Sequence, residues 1–245
     1  MELQDLLYSQ GFGTRRVCAG LIQQGFVAVD GVDAAQPATD LIATEGLRFT
    51  VQGTPWEYHG KAYLMLHKPA GTECSQKPSA WPSVYTLLPA PLRQRPVKGG
   101  QPGVQAIGRL DQDTTGLLLL SDDGQFIHRM ASPKHHVPKV YEATTADALT
   151  EAQIGRLLAG VVLDDDPKPV RAAAAEAVDT HHLRLTLTEG KYHQVKRMVA
   201  AVGNRVTALH RSAIGGLMLP ADLAPGQWRW LRPEDLQAVR LSGPA

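Results

Sequence analysis

Four consecutive leucines, Leu117 to Leu120, stand between Gly116 and the turn-forming string Ser121-Asp122-Asp123-Gly124. An apolar run this short, closed by turn residues on both sides, fits a strand covered on both faces. Other elements must then pack on either side of the sheet that holds it. The stretch GRLDQDTTGLLLLSDDG, Gly108 to Gly124, also sets Asp111 and Asp113 just before the run, and Asp122 and Asp123 just after it. Carboxylates so near a buried strand bind a cation, perform chemistry or cap turns.

The rest of the chain reads as an α+β protein. Thr14 is placed to cap a helix through Ile22, with Gly25 as its stop. Phe26 to Val29 alternates into an Asp30-Gly31 hairpin turn, and a strand follows over Leu47 to Val51. Gly53-Thr54-Pro55 reads as a linker. The spacing predicts domains over 1–58 and 59–245. In the second, Tyr63 to His67 forms a strand ended by Lys68-Pro69-Ala70-Gly71. Residues 89–103, rich in Pro, Gly, Arg and Lys, read as an exposed loop. Thr150 to Leu158 reads as a helix, and Leu183 to Thr188 alternates as a half-buried strand. Strands outnumber helices and do not alternate regularly with them, which argues against a doubly wound sheet.

Composition adds exclusions. The 245 residues can bury a substantial core, and no apolar run approaches a membrane span. Met1 to Asp5 lacks the features of a signal peptide, and Cys18 and Cys74 read as free thiols, so a cytoplasmic location is expected. Net charge is +1, but it is unevenly spread. Residues 1–58 carry seven acids against three arginines, a net of −4. From Lys191 to Ala221 there is no acid, while Lys191, Lys196, Arg197, Arg205 and Arg211 are all basic. Such a cluster either meets a polyanion or forms a solvated basic face.

Asp111, Asp113, Thr115, Gly116 and Asp122 nearly spell a calcium loop. The pattern lacks the closing glutamate, and leucine stands where that loop offers a polar group. Asp122-Asp123-Gly124 reads as a turn preceding a helix. Asp111 is different: a carboxylate buried beside the leucine run needs a cation or several donors. EGKYHQVKRMVAAVGN, Glu189 to Asn204, supplies one. The spacing predicts an amphipathic helix over 192–202, with Val195, Met198, Val199 and Val202 on one face and Gly203-Asn204 as its stop. Lys196 lies at the flank of that face, where a lysine buries its stem and directs its ammonium into a cleft, so it is the better partner for Asp111. Arg197 points away and is the better phosphate contact. Both also fit exposed helical charges. Tyr141, in SPKHHVPKVYEA, is either core packing or a face on which a flipped base stacks. No metal constellation, Ser-His-Asp set or phosphate loop is evident.

Together with HKPAGTECS and LHRSAIGGLMLPADLAPGQWRWL, these stretches resemble the pseudouridine synthases of the ribosomal small subunit synthase A type, in that family's order from Tyr63 to Leu231. Phe12 to Val51 resembles the S4 RNA-binding domain that precedes their catalytic domain. The resemblance implies the pseudouridine synthase fold: a small S4-like domain, then a mixed, mainly antiparallel sheet with flanking helices. It implies an isomerase that converts one uridine of ribosomal RNA, most simply small-subunit RNA, to pseudouridine without metal or cofactor, and a monomer is expected. Asp111 matches the catalytic aspartate, Tyr141 the tyrosine that stacks on uracil, and Lys196 the basic residue paired with the aspartate. Arg109 matches the motif arginine that fills the flipped nucleotide's space or contacts its phosphate. With Leu110, Lys191, Arg197 and Arg211 it makes up the expected substrate-binding set. Large-subunit RNA as substrate, and a non-catalytic RNA-binding protein on the same fold, remain the alternatives.

Overall fold

Thr14 caps a helix as its position demands. In the computed structural model, which describes residues 1–34, 36–164 and 166–240, its hydroxyl accepts a hydrogen bond from the Val17 amide at 3.3 Å. The chain divides into two compact units. The first gathers Met1–Tyr63, Leu88–Gln105 and Leu120–Gly124. Helices α1 (Leu3–Gln10) and α2 (Arg15–Gln23) bury Leu3, Leu6, Leu7, Cys18 and Ile22 against Val27, Phe49 and Val51 of a small antiparallel sheet. Its strands are β1 (Val27–Val29), β2 (Val32–Asp33), β3 (Arg48–Val51) and β4 (Thr54–Glu57), in the order β2-β1-β3-β4. Asp30 (φ 47°) and Gly31 (φ 80°) make the expected hairpin turn.

The supposed linker is a correction. Gln52 (φ 50°) and Gly53 (φ 76°) form a second tight turn, and Thr54 and Pro55 begin β4, paired with β3. Pro55 is tolerated because β4 is an edge strand.

The exposed loop expected over 89–103 is also corrected. It contains a short helix, α3 (Ala90–Gln94), and Leu92 and Arg95 are buried. The Arg95 guanidinium donates to Asp122 Oδ2 at 2.7 Å, Gln10 Oε1 at 2.8 Å and the His59 carbonyl at 2.7 Å. Asp122 Oδ1 accepts from the Ala62 amide at 2.8 Å. Asp122, expected only as a turn residue, is therefore the buried carboxylate of the GRLDQDTTGLLLLSDDG stretch.

Most of the second unit is one mixed sheet. In chain order its elements are β5 (Tyr63–Lys68), β6 (Gln105–Ile107), β7 (Thr115–Ser121), α4 (Gly124–Ala131), β8 (Lys139–Thr145), α5 (Glu151–Ala159), the hairpin strands β9 (Val161–Leu163) and β10 (Asp166–Val170), β11 (Ala174–Ala177), β12 (His182–Leu187), α6 (Gln194–Ala201), β13 (Val206–Ile214), β14 (Leu217–Met218) and β15 (Trp228–Trp230). The sheet runs β11-β12-β8-β13-β7-β5-β15, with β14 beside β13 and β6 beside β7. β8 pairs antiparallel with β12 and β13, whereas β7 pairs parallel with β13. The architecture is the α+β one expected. Leu117 to Leu120 are all fully buried, as a central strand requires. The seven residues of β7 separate Asp111 and Asp113 from Asp122, so the calcium-loop pattern forms no single loop. Among the described residues no helix is long and apolar enough to cross a membrane.

Gly116 makes the parallel pairing possible. Its φ is 112°, and a Cβ there would meet the Arg211 carbonyl oxygen at 2.3 Å. Gly116→Ala is expected to destabilise the fold by about 3 kcal/mol. Arg95→Met, which strands a buried carboxylate, is expected to cost about 3–5 kcal/mol. Urea unfolding of both variants against the native chain checks these values.

Candidate active site

A buried ammonium organises the segment that leads into β7. Lys68, at the end of β5, is fully buried and donates to the carbonyls of Pro69 (3.0 Å), Gln112 (3.2 Å) and Thr114 (2.9 Å). Burial pulls its pKa below the ordinary lysine value. Gln112 O also accepts from the Gly71 amide at 2.8 Å, and the Thr114 amide closes a turn onto Asp111 O at 3.2 Å. The backbone that carries Asp111 is thus held from below.

A cleft of about 820 Å³ opens over this segment, within the range of small-ligand sites. The 108–114 segment, Tyr141 and Lys139 of β8, Arg211 of β13 and the turn before α6 line it. Glu73 stands at its rim and accepts from the amides of Ala80 and Trp81, both at 2.9 Å, and of Ser79 at 3.1 Å. Those bonds hold its carboxyl at about 2 and tie down the adjoining loop.

The structure brings Asp111, Lys196 and Tyr141 to the same cleft. Lys196 Nζ lies 3.2 Å from Asp111 Oδ2 and 2.7 Å from Asp113 Oδ1. Asp111 is 27% exposed, half-buried rather than enclosed. Burial draws the Lys196 ammonium down, but its bonds and charge pairing with Asp113 and Asp111 outweigh that and raise its pKa. For Asp113 burial acts upward, the Lys196 hydrogen bond and charge act downward, and the balance is a lowered pKa. Tyr141 is buried, opposite Leu185 of β12 and Arg211 of β13. Among the described residues its hydroxyl has no hydrogen-bond partner.

The helix that carries Lys196 starts later than the periodicity predicts. His193 adopts a left-handed conformation (φ 48°, ψ 33°), and α6 begins at Gln194. The predicted apolar face is buried, and Gly203 (φ 83°) follows the helix. Gln194 is buried too. Its amide group donates to Glu189 Oε1 at 2.9 Å and accepts from the Lys191 amide at 2.8 Å, which fixes the turn. The left-handed step turns His193 Nε2 to 3.3 Å from Asp111 Oδ1, with its ring stacked on exposed Tyr192 at 3.8 Å. Sequence reasoning missed His193. Helical periodicity held no signal for it, because His193 precedes α6 in a left-handed conformation.

Of the expected substrate-binding set, Arg109 is exposed and makes no ion pair among the described residues. Leu110 is buried at the cleft wall, Lys191 lines the cleft, and Arg197 donates to the Tyr192 carbonyl at 3.1 Å. Arg211 lines the cleft from below: it is 1% exposed and donates to the carbonyls of Leu117 (2.8 Å) and Gly108 (2.9 Å). Lys139, which sequence reasoning did not select, lies beside it. Among the described residues no group of three or more His, Cys, Asp or Glu side chains could hold a metal ion.

Residues 62–201 match the family model described as RNA pseudouridylate synthase. The chain is similar to the ribosomal small subunit pseudouridine synthase A of Escherichia coli K12, 39% identical over 96% of this chain and 98% of that one. The protein of the same name from Yersinia pestis is 38% identical over 98% of each chain. A crystal structure of a pseudouridylate synthase superposes with a TM-score of 0.67 at 33% identity, over 98% of this chain and 99% of the other.

The Lys196 pairing carries a pH signature. Lys196→Gln is expected to return the Asp113 carboxyl upward toward the ordinary carboxylate range, read by carboxyl NMR titration. A depressed folded pKa contributes stability above the unfolded value, and that stability is lost as pH falls through the folded one. The stability difference between native and Lys196→Gln chains is therefore expected to be largest near neutrality and to shrink in acid.

Proposed function

Because this chain belongs to the RNA pseudouridylate synthase family, we propose that its cleft isomerises one specific uridine of small-subunit ribosomal RNA to pseudouridine, without metal or cofactor, and that Asp111 is the essential carboxylate. One observation carries this reading: a carboxylate at the cleft floor stands between Lys196 at 3.2 Å and His193 at 3.3 Å, in the cleft lined by buried Tyr141.

The chemistry follows from that arrangement. A base inside folded RNA must first leave its stack, which costs a few kcal/mol. Arg109, exposed at the start of the Asp111 segment, is placed to fill the vacated space or meet a phosphate. Lys191 and Arg197 extend the basic face, and phosphate contacts there offset the extrusion cost. Tyr141 gives the extruded uracil a flat surface. An anionic oxygen at ribose C1′ then serves cleavage of the C1′–N1 bond in one of two ways: it bonds to carbon, or it stabilises the positive charge that develops there. Lys196 orients the carboxylate. The detached base turns within the cleft and rejoins through C5, and exclusion of water prevents its loss to hydrolysis. Residues 1–58 act as the S4-like RNA-binding domain in this reading. Arg15 there is already engaged by Asp5 at 2.6 Å, so the basic face of the catalytic unit supplies more of the affinity.

Tritium release from small-subunit RNA transcripts labelled at uracil C5 tests the reading. The native chain is expected to release tritium, and Asp111→Asn to lower the rate roughly a thousandfold or more while keeping RNA affinity. Equal release by both would remove Asp111 from the mechanism. Binding without release by the native chain would make it a non-catalytic RNA binder. Carbodiimide treatment and primer extension is expected to map one modified uridine in small-subunit RNA; modification of large-subunit RNA alone would overturn the substrate assignment.

A further inference from the structure

Besides Lys68, which three carbonyls enclose, two cations lie under the cleft with no ion pair to a carboxylate among the described residues. Lys139 is 9% exposed and Arg211 is 1% exposed. Lys139 Nζ donates to the Val137 carbonyl at 3.0 Å, and Arg211 donates only to the carbonyls of Leu117 and Gly108. Among the described residues neither forms an ion pair, and Arg211 Nη1 makes no protein hydrogen bond. The two side chains approach each other beneath Gly108: a Cβ there would lie 3.6 Å from Arg211 Nη1 and 3.8 Å from Lys139 Cε. Burial, and then the Arg211 charge, lower the Lys139 ammonium to about 8. Buried charges are ordinarily paired because desolvation is expensive. Here two like charges share one low-dielectric floor, at a standing cost to stability.

Such a floor suits negative charge that arrives only when the cleft is at work. A phosphate is a poor match, because it is permanently ionised, strongly hydrated and met by exposed cations at the RNA surface. The base is a better one. Lys139 precedes Tyr141 by two residues on β8, and Arg211 is the Cα partner of Tyr141 on β13, so both flank the residue that backs the uracil. We propose, on the reading of the cleft given above, that Lys139 and Arg211 are catalytic residues that stabilise the negative charge the uracil ring acquires as it separates from the ribose. When C1′–N1 breaks, its electron pair stays on N1 and spreads to O2 and O4, while Asp111 takes up the positive charge at C1′. C5 then bonds to C1′ and Asp111 withdraws. The C5 proton leaves to solvent, N1 takes one up from solvent, and no electrons are gained or lost overall. The cations are matched to the charge of the separated base rather than to the neutral uracil that enters, which is how binding energy lowers a barrier.

The test compares Lys139→Met and Lys139→Arg with the native chain in single-turnover assays at saturating RNA. Uridine and 5-fluorouridine substrates are used, with RNA affinity and melting temperature measured in parallel. Fluorine withdraws electrons and makes the detached base a more stable anion, so it lessens the need for the cations. Lys139→Met is expected to slow the reaction of uridine RNA about 100-fold, to slow cleavage of the fluorinated substrate by distinctly less, and to leave RNA affinity within about twofold. Lys139→Arg is expected to recover most of the rate. Because an unpaired buried charge is removed, the melting temperature of Lys139→Met is expected to rise by about 2–4 °C. Equal slowing of both substrates would overturn the proposal. So would weakened RNA affinity with an unchanged saturated rate, or a lowered melting temperature or failure to fold, since these mark a phosphate contact or a structural support. A native chain that binds RNA but forms no pseudouridine would instead defeat the enzymatic reading itself.

Discussion

The parallel pairing of β7 with β13 is the constraint on which the site depends. Strands that run the same way bring the segments entering them to one edge of the sheet. The 108–114 segment enters β7, and the turn and helix that hold His193 and Lys196 lead into β13. A parallel pair therefore delivers the carboxylate and its cations to one place, although Asp113 and Lys196 are 83 residues apart in the chain. The register His210 to Thr115 and Arg211 to Gly116 fixes that meeting. It exists because Gly116 has no side chain to collide with the Arg211 backbone.

Charge compensation sorts the remaining ionisable groups. Asp122 is enclosed and fully compensated by Arg95 and the Ala62 amide, which suits a permanent structural tie. Asp111 and Asp113 share Lys196 and stay partly open to the cleft, so their pairing can rearrange when a ligand enters. Lys68 is satisfied by three carbonyls and serves as a backbone clamp. Among the described residues Lys139 and Arg211 have only carbonyl dipoles for partners. Lys68 likewise lacks an ion pair among the described residues, but three carbonyls enclose it and the charges of Asp113 and Asp111 act on it, whereas the charge acting on Lys139 is that of Arg211.

Much of this was legible along the chain. The Leu117 to Leu120 run, the Thr14 cap, the Asp30-Gly31 turn, the Leu183 to Thr188 alternation and the apolar face of α6 are local patterns, and each forms within a residue of where its sequence places it. The flank position of Lys196 on that face was enough to select it as the partner of Asp111. The misreadings share one cause. Gly53-Thr54-Pro55 has linker composition but packs as a turn and an edge strand, because β3 offers it a hydrogen-bonding edge. Residues 89–103 have loop composition, yet Arg95 is buried because Asp122, Gln10 and the His59 carbonyl are all there to receive it. His193 was hidden because a single left-handed residue breaks the helical periodicity that assigned its direction.

By itself the sequence determined the strands and helices whose residues carry a clear period or cap, which of their faces are apolar, and which few charged residues stand close to buried runs. Those are properties of neighbours within one or two turns, and periodicity records them. Only the tertiary structure decided which charge meets which: Asp122 with Arg95, Asp111 with both Lys196 and His193, and Lys139 with Arg211 and, among the described residues, no acid. The register between strands distant in the chain sets those partnerships. Composition carries no trace of register, because the same residue types satisfy many pairings and only close packing, as at Gly116, admits one of them.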